Sequence, residues 1–186
     1  MDKQEIIKKC IESYSRLKNL KLVGLEVGIP WQTVYVYLKR EGIAVTGDKA
    51  RYGSATDRIA IIGEQRFYKA VPFAIDNNNL QFQASVDFSV FNLTVDVKTS
   101  KLQHKKINTR SSDRWAYCIN KQKDIADLFV FYALNDELET EHVFLMPNEI
   151  VTNATTISIP KSGKSKWFDY KVNENELAGF FKQLAA

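Results

Sequence analysis

Apolar residues recur at helical spacing from the start of the chain. Ile6, Ile7, Cys10, Ile11, Tyr14 and Leu17 fall on one stripe, which predicts an amphipathic helix over residues 2–17. The stretch from Leu20 to Ile43 reads as two further helices joined at Gly28-Ile29-Pro30. Gly28 can take the positive φ of a tight turn, Ile29 can plug between the helices, and Pro30 suits the first position of the second. Val34 and Leu38, four apart, then face inward with Trp31 and Glu41 beside them. Residues 44–55 carry Gly47, Gly53 and Ser54 without periodicity and read as a linker. Helical spacing returns from Thr56 to Ala70, with Ile59, Ile62, Phe67 and Ala70 on one side and Asp57 in the first turn, where the helix dipole favours an acid.

Beyond Ala70 the period changes to two. Val86–Val90 and Leu93–Thr99 alternate around Phe91-Asn92 and predict a β-hairpin. Further strands are expected at Trp115–Ile119, Ala126–Leu134, Glu141–Met146 and Thr155–Ile159. The second is almost continuously apolar, as in a central strand. Asn135-Asp136 marks a turn, and Pro147 stops the third strand. A last helix, Asn173–Leu184, would pack Leu177, Phe180, Phe181 and Leu184. This order predicts a small all-α domain at residues 1–43, a linker at 44–55 and an α/β domain at 56–186 with a mixed central sheet flanked by helices.

The hairpin carries the candidate chemistry. Along alternating strands Asp87 shares a face with Ser89, and Asp96 shares a face with Thr94 and Lys98. Val86, Phe88, Val90, Val95 and Val97 turn the other way. If the loop is Phe91-Asn92, Asp87 lies opposite Asp96. Their Cβ atoms would then be roughly 4.5–5.5 Å apart, a repulsive arrangement unless something positive sits between them. A divalent cation meets that need, since Mg²⁺ takes one or two protein carboxylates and leaves its other positions to water and phosphate. Lys98 could hold or deprotonate an attacking water. The plainer alternative is a solvated acid–lysine pair on an exposed strand, worth little energy.

These residues resemble the active site of the PD-(D/E)XK nucleases, the restriction-endonuclease-like superfamily. Asp87 matches the first acid of the motif, with Val86 where many members have proline, and Asp96-Val97-Lys98 matches the second acid, the variable residue and the lysine. Many members add a glutamate on the preceding helix, where Glu64 stands in this chain. The resemblance covers roughly residues 56–150. It implies a restriction-endonuclease-like core and Mg²⁺-dependent hydrolysis of DNA, with Mn²⁺ as a substitute ion. Asp87, Asp96, Glu64 and the Val97 carbonyl would serve the metal, and Lys98 the water. It also implies settings such as homing or phage-encoded endonucleases, restriction enzymes, junction resolvases and repair nucleases, many of which cut as dimers. Gln103 is a further candidate polar group.

The segment from Leu20 to Ile43 looks like a helix-turn-helix. Its outer face would present Gln32, Val36, Lys39 and Arg40, with Thr33 and Tyr35 at the margins. In DNA-binding versions the second helix enters the major groove, where Gln reads adenine and Lys or Arg holds phosphate. Short tri-helical units also serve as protein-contact modules, so this reading has a rival.

Composition narrows the alternatives. The chain has 186 residues, 45% of them hydrophobic and 26% charged, which is the balance of a water-exposed globular protein of one ordinary domain plus a small one. No apolar run has the length of a membrane span, and Met1-Asp2-Lys3-Gln4-Glu5 does not begin a signal peptide, so a cytoplasmic location is expected. Cys10 and Cys118 are far apart in periodic segments and are expected as small buried hydrophobes rather than a disulfide or zinc site. A net charge of +4 is modest, but its distribution is uneven. Lys39, Arg40, Lys49 and Arg51 surround the linker. Lys101, His104, Lys105, Lys106, Arg110 and Arg114 follow the hairpin lysine and offer phosphate-neutralising charge. Gly163-Lys164-Ser165 imitates the end of a phosphate-binding loop, but Ser158 stands where the earlier glycine is required. Neither His104 nor His142 has a serine or cysteine partner nearby in the sequence. Two rivals to a nuclease remain: a non-catalytic DNA-binding regulator on the same fold, and an interaction module without nucleic acid.

Overall fold

The computed structural model of the chain describes residues 2–45, 53–80, 84–105, 112–151 and 153–184. Most of the expected linker, together with Lys106 and Arg110, lies outside the described residues. The chain divides into two compact units, Met1–Ser54 with Asn77–Ala84, and Ala55–Asp76 with Ser85–Ala186.

The first unit is helical. Helix α1 spans Lys3–Leu17, starts on the side chain of Asp2, which accepts the Lys3 N–H at 2.7 Å, and ends at Lys18 in the left-handed region. Helix α2, Leu20–Val27, is capped by Asn19, whose side chain accepts the N–H groups of Lys21 and Leu22. Gly28 follows at φ 78°, the conformation that its place in the turn requires. Helix α3 spans Trp31–Arg40. Pro30 stands one place earlier than expected, at the cap itself, and makes no side-chain capping bond. Cys10, Tyr14, Val23, Val34 and Leu38 form the buried centre of the three helices. Arg16 and Ser13 both donate to the carboxylate of Glu26, fixing α1 to α2.

The second unit opens with helix α4, Ala55–Ala70, followed by strand β1, Ile75–Asp76. A short helix α5, Asn77–Leu80, belongs to the first unit. The hairpin is β2, Phe88–Val90, and β3, Leu93–Lys101. Then come β4, Arg114–Cys118; β5, Leu128–Leu134; and β6, Thr140–Pro147. Helix α6, Asn148–Val151, leads to β7, Thr156–Pro160. A 3₁₀ turn at Lys166–Tyr170, strand β8 at Lys171–Val172 and helix α7 at Leu177–Leu184 complete the unit. The main sheet has the order β1-β2-β3-β5-β6-β8, with β3 and β5 parallel and the other pairs antiparallel. This is a mixed sheet flanked by helices, as the pattern predicts. All seven residues of β5 are buried, as befits its central place.

Each face of the sheet has its own core. Phe67 of α4 and Leu177 and Phe181 of α7 pack with Val95, Val97, Val130 and Tyr132. On the opposite side Phe129, Phe131, Phe144 and Met146 lie under β4 and β7, which pair with each other as a two-stranded ribbon bearing Trp115, Tyr117, Ile157 and Ile159.

Several expectations change. The last helix starts at Leu177, because Glu174–Glu176 form a 3₁₀ turn, and Leu184 is 52% exposed rather than packed. Cys10 is buried, but Cys118 lies at the ribbon end and is exposed. Val86 packs in the opposite core from Phe88 and Val90, because the regular strand begins only at Phe88.

Helix α4 approaches β3 closely at Gly63. An added Cβ would fall inside the van der Waals shell of Thr99 Oγ1 and lie 3.2 Å from Thr99 Cβ. Gly63→Ala is therefore expected to lower stability. Overpacking costs about 1–3 kcal/mol, here at the upper end, against about 1 kcal/mol gained in helix propensity. Adding Thr99→Ala removes the obstructing oxygen and should restore part of the loss. Thermal melts of the single and double variants check this, and a Gly63→Ala protein no less stable than wild type would contradict the packing.

Candidate active site

The hairpin register is Val90 with Leu93, Ser89 with Thr94 and Phe88 with Val95, around a two-residue turn in which Phe91 takes φ 55°. A positive φ at a bulky residue is costly, and the turn of a hairpin is where strand twist demands it. Phe91 is steadied by the Phe73 ring, 5.3 Å between centroids. One step further along the register, Asp87 comes level with Asp96.

Asp87 sits where the regular β2 ladder stops, and its Oδ2 accepts the backbone N–H of Val97 at 2.9 Å. The carboxylate thus takes the place of a strand partner and is held against β3. Asp96 is 1% exposed. Its neighbour in the parallel register is Phe129, and that of Lys98 is Phe131, so the acid is walled by apolar side chains. Lys98 Nζ lies 2.7 Å from Asp96 Oδ2. That is the distance of a charge-assisted contact, and Lys98 and the neighbouring Asp87 are the polar company Asp96 keeps in its buried place.

Burial is the largest influence on Asp96. Together with the charge of Asp87 it pushes the Asp96 carboxyl up to about 7, against the opposing pull of Lys98. An acid buried beside a second acid has the chemistry of a cation ligand. Two carboxylate side chains suit Mg²⁺, which takes one or two protein carboxylates and leaves its other positions to water and phosphate. Among the described residues no group of three or more His, Cys, Asp and Glu gathers to hold a metal.

The four residues expected at the site come from the hairpin and α4. Asp96 and Lys98 project into the layer beneath the ribbon, whereas α4 lies on the Val95, Val97 and Thr99 face, where Thr99 Oγ1 donates to the Ala60 carbonyl at 3.4 Å. Glu64 is half-buried on that helix. Ser100 was not singled out by its sequence context, although it continues the Asp96 and Lys98 face two residues on. It is buried, and its Oγ accepts the Ala116 N–H at 3.1 Å, anchoring the ribbon to β3 beside the site.

The basic stretch beyond Lys98 is partly neutralised. Lys101 contacts Asp136 at 3.4 Å, and His104 lies between Asp113 at 3.2 Å and Asp136 at 2.8 Å. Those two contacts, with Asp136 the stronger, hold the His104 imidazole above its usual range, while the partners of Asp113 and Asp136 hold both acids low. The Lys105 backbone N–H donates to Asp113 at 2.8 Å. Gln103 bridges to Arg114, and both are exposed. In the helical unit Gln32, Val36, Lys39 and Arg40 are exposed on α3 and Thr33 is half-buried, while Val34 and Leu38 are buried as expected. Among the described residues no helix is long and apolar enough to cross a membrane.

No family model matches the sequence, and no curated protein matches it. Among solved structures the chain is similar to a bacterial homing endonuclease, I-Ssp6803I, with 20% identity and a TM-score of 0.46 over 71% of this chain and 95% of that one.

Proposed function

We propose that this chain is a metal-dependent DNA endonuclease that hydrolyses phosphodiester bonds at Asp87, Asp96 and Lys98. The observation that carries the reading is the buried Asp96, set beside a second carboxylate and in contact with the amine of Lys98. Asp87 and Asp96 would hold Mg²⁺, or Mn²⁺ in its place, with the Val97 carbonyl as a main-chain donor. When bound, the ion supplies a Lewis acid that offsets charge developing on the phosphate and the leaving oxygen.

The chain's own groups do the rest. Asp87, fixed by the Val97 N–H, sets its carboxylate without a search through rotamers. Lys98, with its side chain 21% exposed and its amine against Asp96, would orient the attacking water and stabilise the hydroxide as it forms. The apolar wall of Phe129 and Phe131 excludes bulk water and strengthens each charge interaction within. Glu64, half-buried on α4, would bind or orient a second ion or its water.

Helix α3 supplies the sequence-reading surface in this proposal, with Gln32, Thr33 and Val36 toward bases and Lys39 and Arg40 toward phosphate. Lys101, Lys105 and Arg114, with Lys106 and Arg110, would contact backbone phosphates. A homodimer or higher homo-oligomer would place two such sites, one for each strand.

Lys98→Ala tests the chemistry. Single-turnover cleavage of an end-labelled duplex in Mg²⁺ is expected to slow by on the order of 10²–10³-fold, the scale of losing one charge-stabilising group, with duplex affinity nearly unchanged. A variant that cleaves at the wild-type rate would contradict the assignment.

A further inference from the structure

We infer that the loop after β7, from Lys161 to Lys166, is a second surface for the phosphate backbone of duplex DNA, continuous with the candidate active site. This inference rests on the endonuclease reading and extends it to residues that the hairpin motif does not include.

The pairing of the ribbon brings two distant stretches of sequence together. Arg114 at the start of β4 stands opposite Pro160 at the end of β7, and the Lys161 N–H donates to the Asp113 carbonyl at 2.8 Å. The loop therefore leaves the ribbon beside the basic stretch that follows Lys98. Gly163 takes φ 74° and its N–H turns back to the Pro160 carbonyl at 3.3 Å, so the loop is a tight reversal. Lys161, Lys164 and Lys166 on it are all exposed.

Three acids at this end are engaged by cations or N–H groups, whereas Asp169, three residues beyond Lys166, is exposed. Asp113 and Asp136 are held by His104, Lys101 and the Lys105 N–H, and Glu141 by Lys161 at 3.7 Å. Arg114, Lys164 and Lys166 add positive charge beyond these pairs, and Lys166 lies over the Trp167 ring at 4.5 Å, which steadies its stem without removing its charge. An open array of this kind, strung along a ribbon end and a loop, fits a polyanion rather than a small ligand.

The spacing fits a duplex that also reaches the candidate site. Arg114 bridges to Gln103, five residues beyond Lys98 along the same chain direction. At about 3.3 Å per residue this is roughly 16 Å, close to the rise of about five base pairs. Lys164 and Lys166 extend the track past Arg114. The Gly163-Lys164-Ser165 triplet, which fails as a nucleotide-binding loop because Ser158 stands where the earlier glycine is required and only a 3₁₀ turn follows, has a use here as a turn that presents lysines outward.

The test is the salt dependence of binding to a nonspecific duplex, measured by fluorescence anisotropy without Mg²⁺. Combining Lys164→Ala and Lys166→Ala should weaken binding and flatten the log–log salt slope by about 1.8, at about 0.9 for each phosphate that a lysine no longer neutralises. Lys69→Ala, an exposed lysine on α4, should leave the slope unchanged. A double variant that melts like wild type and keeps the wild-type slope overturns the inference, as does a wild type that fails to bind duplex at low salt. Failure of the nuclease reading looks different: duplex binding with the expected slope change but no strand scission in Mg²⁺.

Discussion

Asp96→Asn is expected to abolish Mg²⁺-dependent DNA cleavage, by on the order of 10³-fold or more, and yet leave the metal-free protein at least as stable as wild type at pH 8. The loss of activity follows from removing the charge of a carboxylate placed to hold the ion. The gain or neutrality in stability follows from its surroundings. Asp96 is almost wholly buried against Phe129, beside Asp87, and ionised only at a desolvation cost that Lys98 offsets in part. Asparagine keeps the shape and a hydrogen-bonding oxygen while removing the charge. Lys98 retains access to water at 21% exposure, so it is not stranded by the change. Thermal melts in EDTA and cleavage in Mg²⁺ measure the two halves separately. Clear destabilisation of the metal-free variant at pH 8 would make Asp96 a structural acid and not a ligand.

The second large effect is on pH dependence. An isolated aspartate ionises near 3.9, whereas Asp96 in the fold does so at about 7. Between those values the native state keeps a proton that the unfolded chain has released. Stability therefore falls as pH rises through this window, and below about pH 4 the difference vanishes because both states are protonated. Above about pH 7 both are ionised and the full cost is present, on the order of 4 kcal/mol for three pH units of displacement. Subtracting the urea-melt stability of Asp96→Asn from that of wild type at each pH isolates this contribution from the remaining carboxylates. The difference should decline from pH 4 to pH 7 in EDTA and flatten in millimolar Mg²⁺, which would bind the ionised form. A difference that stays level across the window would mean that Asp96 ionises normally.

How far the sequence foretells this site depends on what a local pattern can encode. The hairpin is legible because alternation and a two-residue turn together determine which residues face one another, and Asp87, Asp96 and Lys98 follow from that geometry. The same alternation misplaces Val86, since nothing in it shows that the regular ladder ends at Phe88 and that the Asp87 side chain takes over as a backbone partner. Glu64 shows a different limit. Its helix is evident from spacing, but the face of the sheet on which a helix lies is a matter of long-range packing, decided here by the contact of Gly63 with Thr99. Period two predicts β4 and β7 as strands without showing that they form a ribbon apart from the main sheet. Likewise, charge counting finds the lysines after Lys98 but not Asp113 and Asp136 among them, because those acids arrive from a strand start and a turn. The short helix Asn77–Leu80 carries no apolar stripe, and its membership in the helical unit is set by tertiary contact alone.

The most direct measurement is incubation of the purified protein with supercoiled and linear plasmid, with Mg²⁺ and with EDTA, beside the Asp96→Asn variant. Nicked or linear products are predicted from wild type in Mg²⁺ alone, and intact plasmid from the variant. Intact plasmid with wild type in Mg²⁺ or Mn²⁺ across protein concentrations that saturate DNA binding, or equal cleavage by Asp96→Asn, would contradict a metal-dependent nuclease at this hairpin.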